Sequence, residues 1–227
     1  HSLPIAKGYD DLTALWSATK FGYTPTFVVS YGGMMGEEYF YDRTEVWKNP
    51  RLMRYTPSFL VDGRSIRRPS APDNQYNHVA VAEYAKTLRD KGVSVHIGAH
   101  GQREGLASHW ELWIMTQGGF TPWEALRGGT IDGATHLGMD KQIGSIEVGK
   151  IADMMIIDGD VLSDIRRSEF VEYTVLNGRV YETATMNEVG SKKQRKAFFF
   201  EQNNQLFMPK ATQQTIDAKA QKHHWVH

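Results

Sequence analysis

The stretch "HVAVAEYAKTLRDKGVSVHIGAH", residues 78–100, decides the fold class. Its first part has the apolar spacing of a helix, and Gly92 follows as a stop signal. The apolar run after Gly92 has the composition of a β-strand and ends at His100. A helix that leads at once into a strand is typical of α/β proteins, so the stretch predicts that class.

The same order of elements occurs upstream. Residues 10–20 predict a helix, with Leu15 and Trp16 on its apolar face, and "YTPTFVV" (23–29) predicts a short strand. Residues 32–78 then form a long, irregular and aromatic connection, a kind that is more often functional or covered by a partner than idle. Two helix-and-strand pairs in series predict parallel β/α units.

Downstream of His100, the pattern predicts two further helices. "REGLASHWELWIMTQGG" (103–119) has helical periodicity. A second helix is predicted after Thr121, with Pro122 at its first position and Glu124 in the capping-box position.

The pattern of apolar residues changes after residue 142. Short apolar runs and the Asn177-Gly178 pair predict a small β unit over residues 143–186, because Asn-Gly is a strong hairpin signal. Residues 187–227 form a polar tail, in which the aromatic run 198–200 is expected to cover another surface.

Composition narrows the possible partners and ligands. The chain balances 26 Lys and Arg residues against 26 Asp and Glu residues, which gives no global reason to expect nucleic acid. No apolar run approaches the roughly 20 residues of a membrane span, so no membrane partner is expected. The chain has no cysteine, so any metal must be held by His, Asp or Glu. Because the sequence begins with His1 and lacks a signal-peptide pattern, we expect it to derive from a longer protein.

The stretch "FTPWEALRGGTIDGATHLGMDKQIGSIEVGKIADMMIID" (120–158) resembles the C-terminal part of metal-dependent amidohydrolases, in the imidazolonepropionase- and prolidase-like branch. The resemblance continues into "VEYTVLNGRVY" (171–181) and back through "HWELW" (109–113) and "YTPTFVV". It covers about residues 1–190. The stretch also resembles large bacterial proteins in which such a domain follows a β-propeller.

The resemblance implies a (β/α)8 (TIM) barrel flanked by a small β-sandwich. A complete barrel takes about 250 residues, so only its C-terminal portion is expected here. Residues 1–142 would be the last β/α units of the barrel, 143–186 the C-terminal strands of the sandwich, and 187–227 a tail outside both.

Two histidines are implied as site residues. "HSLP" (1–4) resembles a family motif cut at its histidine, which makes His1 a metal ligand; a frayed terminal residue or a tag remnant is the plain alternative. His100 stands where the family carries a metal-binding aspartate at the end of the eighth strand, so the resemblance implies that it is a metal ligand or a catalytic base. A strand-end histidine bonded to the backbone is equally compatible with the sequence.

Other residues are expected near the same strand ends. Tyr31, Gln102 and His109 are predicted to bind substrate, although a packing role is the simpler interpretation of His109. Arg103 is expected to be solvated, and His96 to be buried and structural.

The resemblance implies hydrolysis of C–N bonds in small amide or peptide-like molecules by a metal-bound water, with a divalent metal such as zinc. The family's first-strand His-x-His pair has no counterpart here. The catalytic set is therefore incomplete, and we expect the chain alone to be inactive and to hold no metal.

Two alternatives remain open from sequence. The chain could be a non-catalytic binding or structural α/β module that self-associates, or joins the N-terminal remainder of its parent protein, through exposed strand edges. It could also be an independent α/β enzyme that uses His100.

Overall fold

The computed structural model describes residues 10–30, 32–100, 103 and 105–198. The predictions for His1, Tyr31 and Gln102, and for the tail beyond residue 198, lie outside the described residues.

The helical part of the chain comes first and is followed by the strands. The α-helices are α1 (Asp10–Thr19), α2 (Gly36–Arg43), α3 (Pro50–Tyr55), α4 (Ser58–Ile66), α5 (His78–Asp90), α6 (Leu106–Gln117), α7 (Pro122–Gly128) and α8 (Ile131–His136). Short 3-10 helices span Phe27–Val29, Val46–Lys48, Asp73–Gln75 and Ile165–Glu169. The strands are β1 (Met154–Ile157), β2 (Val171–Leu176), β3 (Arg179–Glu182) and β4 (Asn187–Glu188).

The structure confirms the predicted helices α1, α5, α6 and α7. At the start of α7, Thr121 Oγ1 accepts the Glu124 N–H at 3.2 Å, and Glu124 Oε2 accepts the Thr121 N–H at 2.9 Å. Gly92, at φ +85°, ends the turn after α5. The predicted face of α1 is partly wrong, because Leu15 is 62% exposed while Thr13 is buried.

The connection over residues 32–78 was expected to be irregular. This prediction is wrong, because the segment contains α2, α3 and α4. Local caps explain two of these helices. Asn49 Oδ1 accepts the Leu52 N–H at 3.0 Å ahead of α3, and Glu38 Oε2 accepts the Met35 N–H at 2.8 Å ahead of α2. Such short helices have weak periodicity, and the aromatic residues in this segment obscure it.

The two predicted strands of residues 23–29 and 93–99 are reduced to a single parallel bridge, Tyr23 to Val95. Phe27–Val29 forms a 3-10 turn instead of a strand. A second isolated parallel bridge joins Met34 to Tyr76. Regular parallel ladders occur in sheets of several strands that are covered on both faces, and the described residues form only isolated parallel bridges. The predicted direction of pairing is nevertheless confirmed.

The strands of the C-terminal part form one antiparallel sheet in the order β1-β2-β3-β4. The predicted hairpin is confirmed, since Leu176 pairs with Arg179 across Asn177 and Gly178, both at positive φ. A second sheet that would complete a sandwich is not formed by the described residues. The sandwich and the domain boundaries therefore stay predictions.

Aromatic residues from the connection form much of the core. Phe40 of α2 stacks on Trp110 of α6 with 4.7 Å between ring centroids, and both residues are almost fully buried. Burial of large aromatic rings is the largest apolar contribution that single residues make. Within the described ranges, no helix combines the length and apolar character needed to cross a bilayer.

Candidate functional site

The parallel bridge brings the ends of two chain segments to the same side of the molecule. The Tyr23 N–H donates to Ser94 O at 2.8 Å, and the His96 N–H donates to Tyr23 O at 2.9 Å. Because the segments run in the same direction, residues 27–30 and 98–100 follow the bridge together. We call these residues, with Arg103, the mouth.

Glu111 of α6 connects the two segments of the mouth, residues 27–30 and 98–100. Its carboxyl group accepts the main-chain N–H of Phe27 at 3.1 Å and of Val28 at 2.8 Å. It is also hydrogen-bonded to the Gly98 backbone. Glu111 is fully buried, so one side chain satisfies donors of both segments that have no strand partner.

Burial raises the pKa of Glu111 from 4.5 to about 7, although the hydrogen bonds from Val28, Phe27 and Gly98 act in the opposite direction. The segments themselves approach closely, because a Cβ at Gly98 would lie 2.6 Å from Pro25 O. The mouth is therefore a fixed arrangement of backbone, held by a buried acid that changes charge near neutral pH.

His100 lies at the end of its segment and is exposed. Its φ of +51° is in the left-handed region, which costs energy for a residue other than glycine. An exposed imidazole at this place can accept or donate a proton, or bind a metal ion through one nitrogen. The structure thus leaves His100 exposed beyond the parallel bridge, and its catalytic and metal-binding roles stay predictions.

Arg103 is not solvated, contrary to the sequence interpretation. Its side chain is 12% exposed, and its Nε lies 3.6 Å from Oε1 of the buried Glu37. Arg64 of α4 makes a second ion pair with Glu37, and the Arg103 guanidinium lies over the Tyr41 ring, 5.5 Å from its centroid. Two cations offset the charge of one buried carboxylate, which anchors the chain just after His100.

The described residues do not fit a metal ion. No three His, Cys, Asp or Glu side chains come together as ligands in the part of the chain that the structure describes. Glu37 is taken by two arginines and Glu111 by main-chain amides. His100 alone does not complete a metal site.

His96 and His109 both lie below the surface. His96, expected to be buried and structural, is 3% exposed and stacks on His136 with 4.6 Å between ring centroids. Its Nδ1 lies 3.0 Å from Thr24 Oγ1 and its Nε2 2.8 Å from Ser94 Oγ. His109 is half-buried on α6, with Nδ1 3.2 Å from Ser168 Oγ. Burial lowers the pKa of each histidine to about 4, so both are neutral at neutral pH.

Sequence reasoning missed Glu111 and Glu37. Glu111 carried a usable signal, since it sits between Trp110 and Leu112 in an apolar helix, at the spacing of the buried residues Ala107 and Met115. Glu37 carried none, because the acids around it look like an ordinary first helical turn.

The structure is that of an α/β protein, and its candidate site, which contains His100, lies just beyond two parallel segments of the chain. A sequence profile of the amidohydrolase family matches residues 59–181. The match covers more than half of the chain, so the chain belongs to the amidohydrolase family.

Individual relatives match over shorter stretches. The chain is 41% identical over 69 residues to a 5-methylthioadenosine/S-adenosylhomocysteine deaminase of Thermoanaerobacter pseudethanolicus, which is 25% of this chain and 16% of that protein. It is 34% identical over 82 residues to an imidazolonepropionase of Symbiobacterium thermophilum, which is 34% of this chain and 19% of that protein.

A solved amidohydrolase structure matches with a TM-score of 0.50 and 21% identity, over 76% of this chain and 37% of that one. This likeness concerns the fold alone and agrees with the α/β class expected from sequence. The chain thus spans less than a fifth of these two curated relatives and little more than a third of the solved structure.

Proposed function

We propose that this chain forms part of the active site of an enzyme that hydrolyses C–N bonds in small amide or peptide-like molecules. The observation that carries the proposal is the mouth, where two parallel segments end side by side and present His100. Membership in the amidohydrolase family supports it. The relatives named as a deaminase and an imidazolonepropionase support C–N hydrolysis as the reaction class.

In this proposal His100 exchanges a proton at the mouth. A neutral imidazole takes a proton from the attacking water, and the imidazolium formed returns it to the departing nitrogen. Glu111 and Arg103 fix the backbone on both sides of His100 and so hold the ring in place. Tyr31 and Gln102 are proposed to contact the substrate from the adjoining positions of the sequence.

A divalent metal, with zinc as the expected ion, belongs to the complete enzyme in this proposal, with His1 among its ligands. His100 can be a ligand only in place of its role as base, because a ring that holds the metal through one nitrogen and carries hydrogen on the other has no lone pair for a further proton. When bound, the metal supplies Lewis-acid activation of water. The described residues do not form its site, and the sequence has no His-x-His pair. We therefore propose that the chain alone is inactive and that other residues complete the ligand set.

The test compares this chain with the full open reading frame that contains it. Zinc content is measured by mass spectrometry, and ammonia or amine release is measured on a panel of dipeptides, N-acyl amino acids and adenosine derivatives. The proposal predicts zinc and turnover for the full product and neither for the chain alone. A full product that releases no amine from any member, or an isolated chain with equal turnover, would contradict it.

The exposed sheet edge supports a second candidate function, self-association. β1 is an edge strand, and its Met154, Met155 and Ile156 are between 36% and 49% exposed. Such an edge can pair with another copy. Sizing chromatography of the wild type and of Met155→Lys tests this function: a dimer that the lysine abolishes supports it, and a wild-type monomer excludes it.

A further inference from the structure

A cavity of about 420 Å³ lies between α3, the first turn of α6 and the sheet. Small-molecule sites in proteins occupy roughly 300–1,000 Å³, so this volume suffices for a small organic ligand. Neither His100 nor Arg103 is among its lining residues. Its wall combines a polar end, formed by Asn49, Arg51, His109 and Glu169, with a mostly apolar remainder.

Arg51, which interacts electrostatically with the acids Glu169 and Glu172, supplies a positive charge to this end of the cavity. Its Nη1 donates to the main-chain oxygen of Glu169 at 2.9 Å. Within the described residues it forms no ion pair, so the other guanidinium donors remain available to a ligand. Burial is the main cause that lowers the pKa of Arg51, yet an arginine keeps its proton at any physiological pH.

The Glu169 carboxyl opposes this charge less strongly as the pH falls below 7. Its Oε2 accepts the Asn49 Nδ2–H at 3.2 Å. Burial raises the pKa of Glu169 from 4.5 to about 7, against the lowering effect of Arg51 and Arg166. As the pH falls below 7, protonation of this carboxyl therefore reduces the negative charge that opposes Arg51.

His109 adds a hydrogen-bond donor to the same end. The indole N–H of Trp113 donates to Ser168 Oγ at 3.0 Å, and His109 Nδ1 lies 3.2 Å from that oxygen. The buried Ser168 hydroxyl needs an acceptor for its own proton, and His109 Nδ1 is the one in reach. The proton of the neutral His109 ring is then on Nε2, which makes no hydrogen bond among the described residues.

The rest of the cavity wall is mostly apolar, although Thr56 and Thr183 also line it. Leu52, Leu106, Val171 and Met186 line it. Phe198 completes the wall, and its ring meets the Tyr55 ring edge-on with 6.3 Å between centroids. An alkyl chain placed here would leave water on contact with these side chains.

We propose that this cavity binds a small carboxylate with an apolar chain. The ligand's carboxylate accepts hydrogen bonds from Arg51 and from His109 Nε2–H, and its alkyl chain lies against Leu106, Met186 and Phe198. Binding needs no hydrolytic step, so it stands or fails independently of the C–N hydrolase activity proposed above.

The test is isothermal titration calorimetry of the chain with butanoate, pentanoate and hexanoate at pH 6.5. Affinity is expected to rise about fourfold with each methylene, because each buried methylene contributes roughly 0.8 kcal/mol. Hexanamide, which has the same shape without the charge, is expected to bind at least tenfold more weakly than hexanoate. Equal binding of acid and amide, or no heat with hexanoate at millimolar concentration, would overturn the proposal.

Variants locate the site. Arg51→Met is expected to weaken hexanoate binding at least tenfold, whereas Arg67→Met, at an exposed arginine without an ion pair among the described residues, is expected to leave it unchanged. Wild-type affinity in Arg51→Met would refute the assignment to this cavity. If Arg51→Met does not fold, the comparison of acid and amide on the wild type still decides the ligand class.

Discussion

Replacing Glu111 by glutamine tests how the mouth is held together. The amide keeps the shape of the side chain but turns one acceptor oxygen into a donor. That donor then faces the main-chain N–H of Phe27 or Val28, which now lie 3.1 Å and 2.8 Å from the carboxyl oxygens. The protonated carboxyl present at pH 5 can still accept both N–H groups, because its hydroxyl oxygen keeps lone pairs, whereas an amide nitrogen accepts none. A buried N–H left without an acceptor costs about 1–3 kcal/mol, so we expect Glu111→Gln to lose about 2 kcal/mol of unfolding free energy at pH 5.

The loss depends on pH with a defined sign. Burial raises the pKa of Glu111 from 4.5 to about 7, so the folded protein holds this proton more tightly than the unfolded chain. The stabilising contribution is complete below pH 4.5 and is lost as the pH rises through 7. Since one pKa unit corresponds to about 1.4 kcal/mol, ionisation costs the wild type up to about 3 kcal/mol. Glutamine does not ionise, so the difference between the two proteins should close by pH 8.

Urea unfolding followed by circular dichroism at pH 5, 6, 7 and 8 measures this difference. The exposed acid Glu83 provides the matched control, and Glu83→Gln should differ from wild type by less than about 0.5 kcal/mol at every pH. A Glu111→Gln deficit that stays constant or widens from pH 5 to 8 would refute the reasoning, because it would mean that Glu111 is ionised throughout.

Three further substitutions test the fold. Thr121→Ala removes the capping box of α7 and should cost about 1 kcal/mol; an unchanged urea midpoint would contradict this. Phe40→Ala removes the ring that stacks on Trp110 and should lower the free energy of unfolding by about 3–5 kcal/mol in the same assay. A loss below 1 kcal/mol would exclude a core role for Phe40. Gly178→Ala adds a Cβ at φ +78° and should cost about 1 kcal/mol by thermal unfolding; an unchanged or raised Tm would argue against this turn.

Local signals in the sequence predicted the parts of the fold that short-range contacts decide. The capping box at Thr121 and the hairpin at Asn177 involve partners within a few residues, so the residue types alone carry the information. The predicted strand at 23–29 failed for the opposite reason. Its regularity depends on neighbouring strands, and the amides of Phe27 and Val28 turn instead to Glu111, more than 80 residues away in the chain.

The candidate site shows the same division. The sequence could place His100 at the end of an apolar segment, and the structure puts it at the mouth. The sequence could not show that Arg103 turns inward, because its partner Glu37 lies on a helix that had no clear signal. Likewise, the cavity at Arg51 and His109 arises only when α3, α6 and the sheet come together.

The most direct test of the proposed function is the rate of amine release by the full open reading frame with His100 replaced by alanine. We expect a rate at least 100-fold below wild type, since a positioned acid–base group contributes about 10²–10⁴-fold. The control His227→Ala should keep the wild-type rate. A His100→Ala enzyme as fast as wild type would contradict the central claim that His100 carries the chemistry of the mouth.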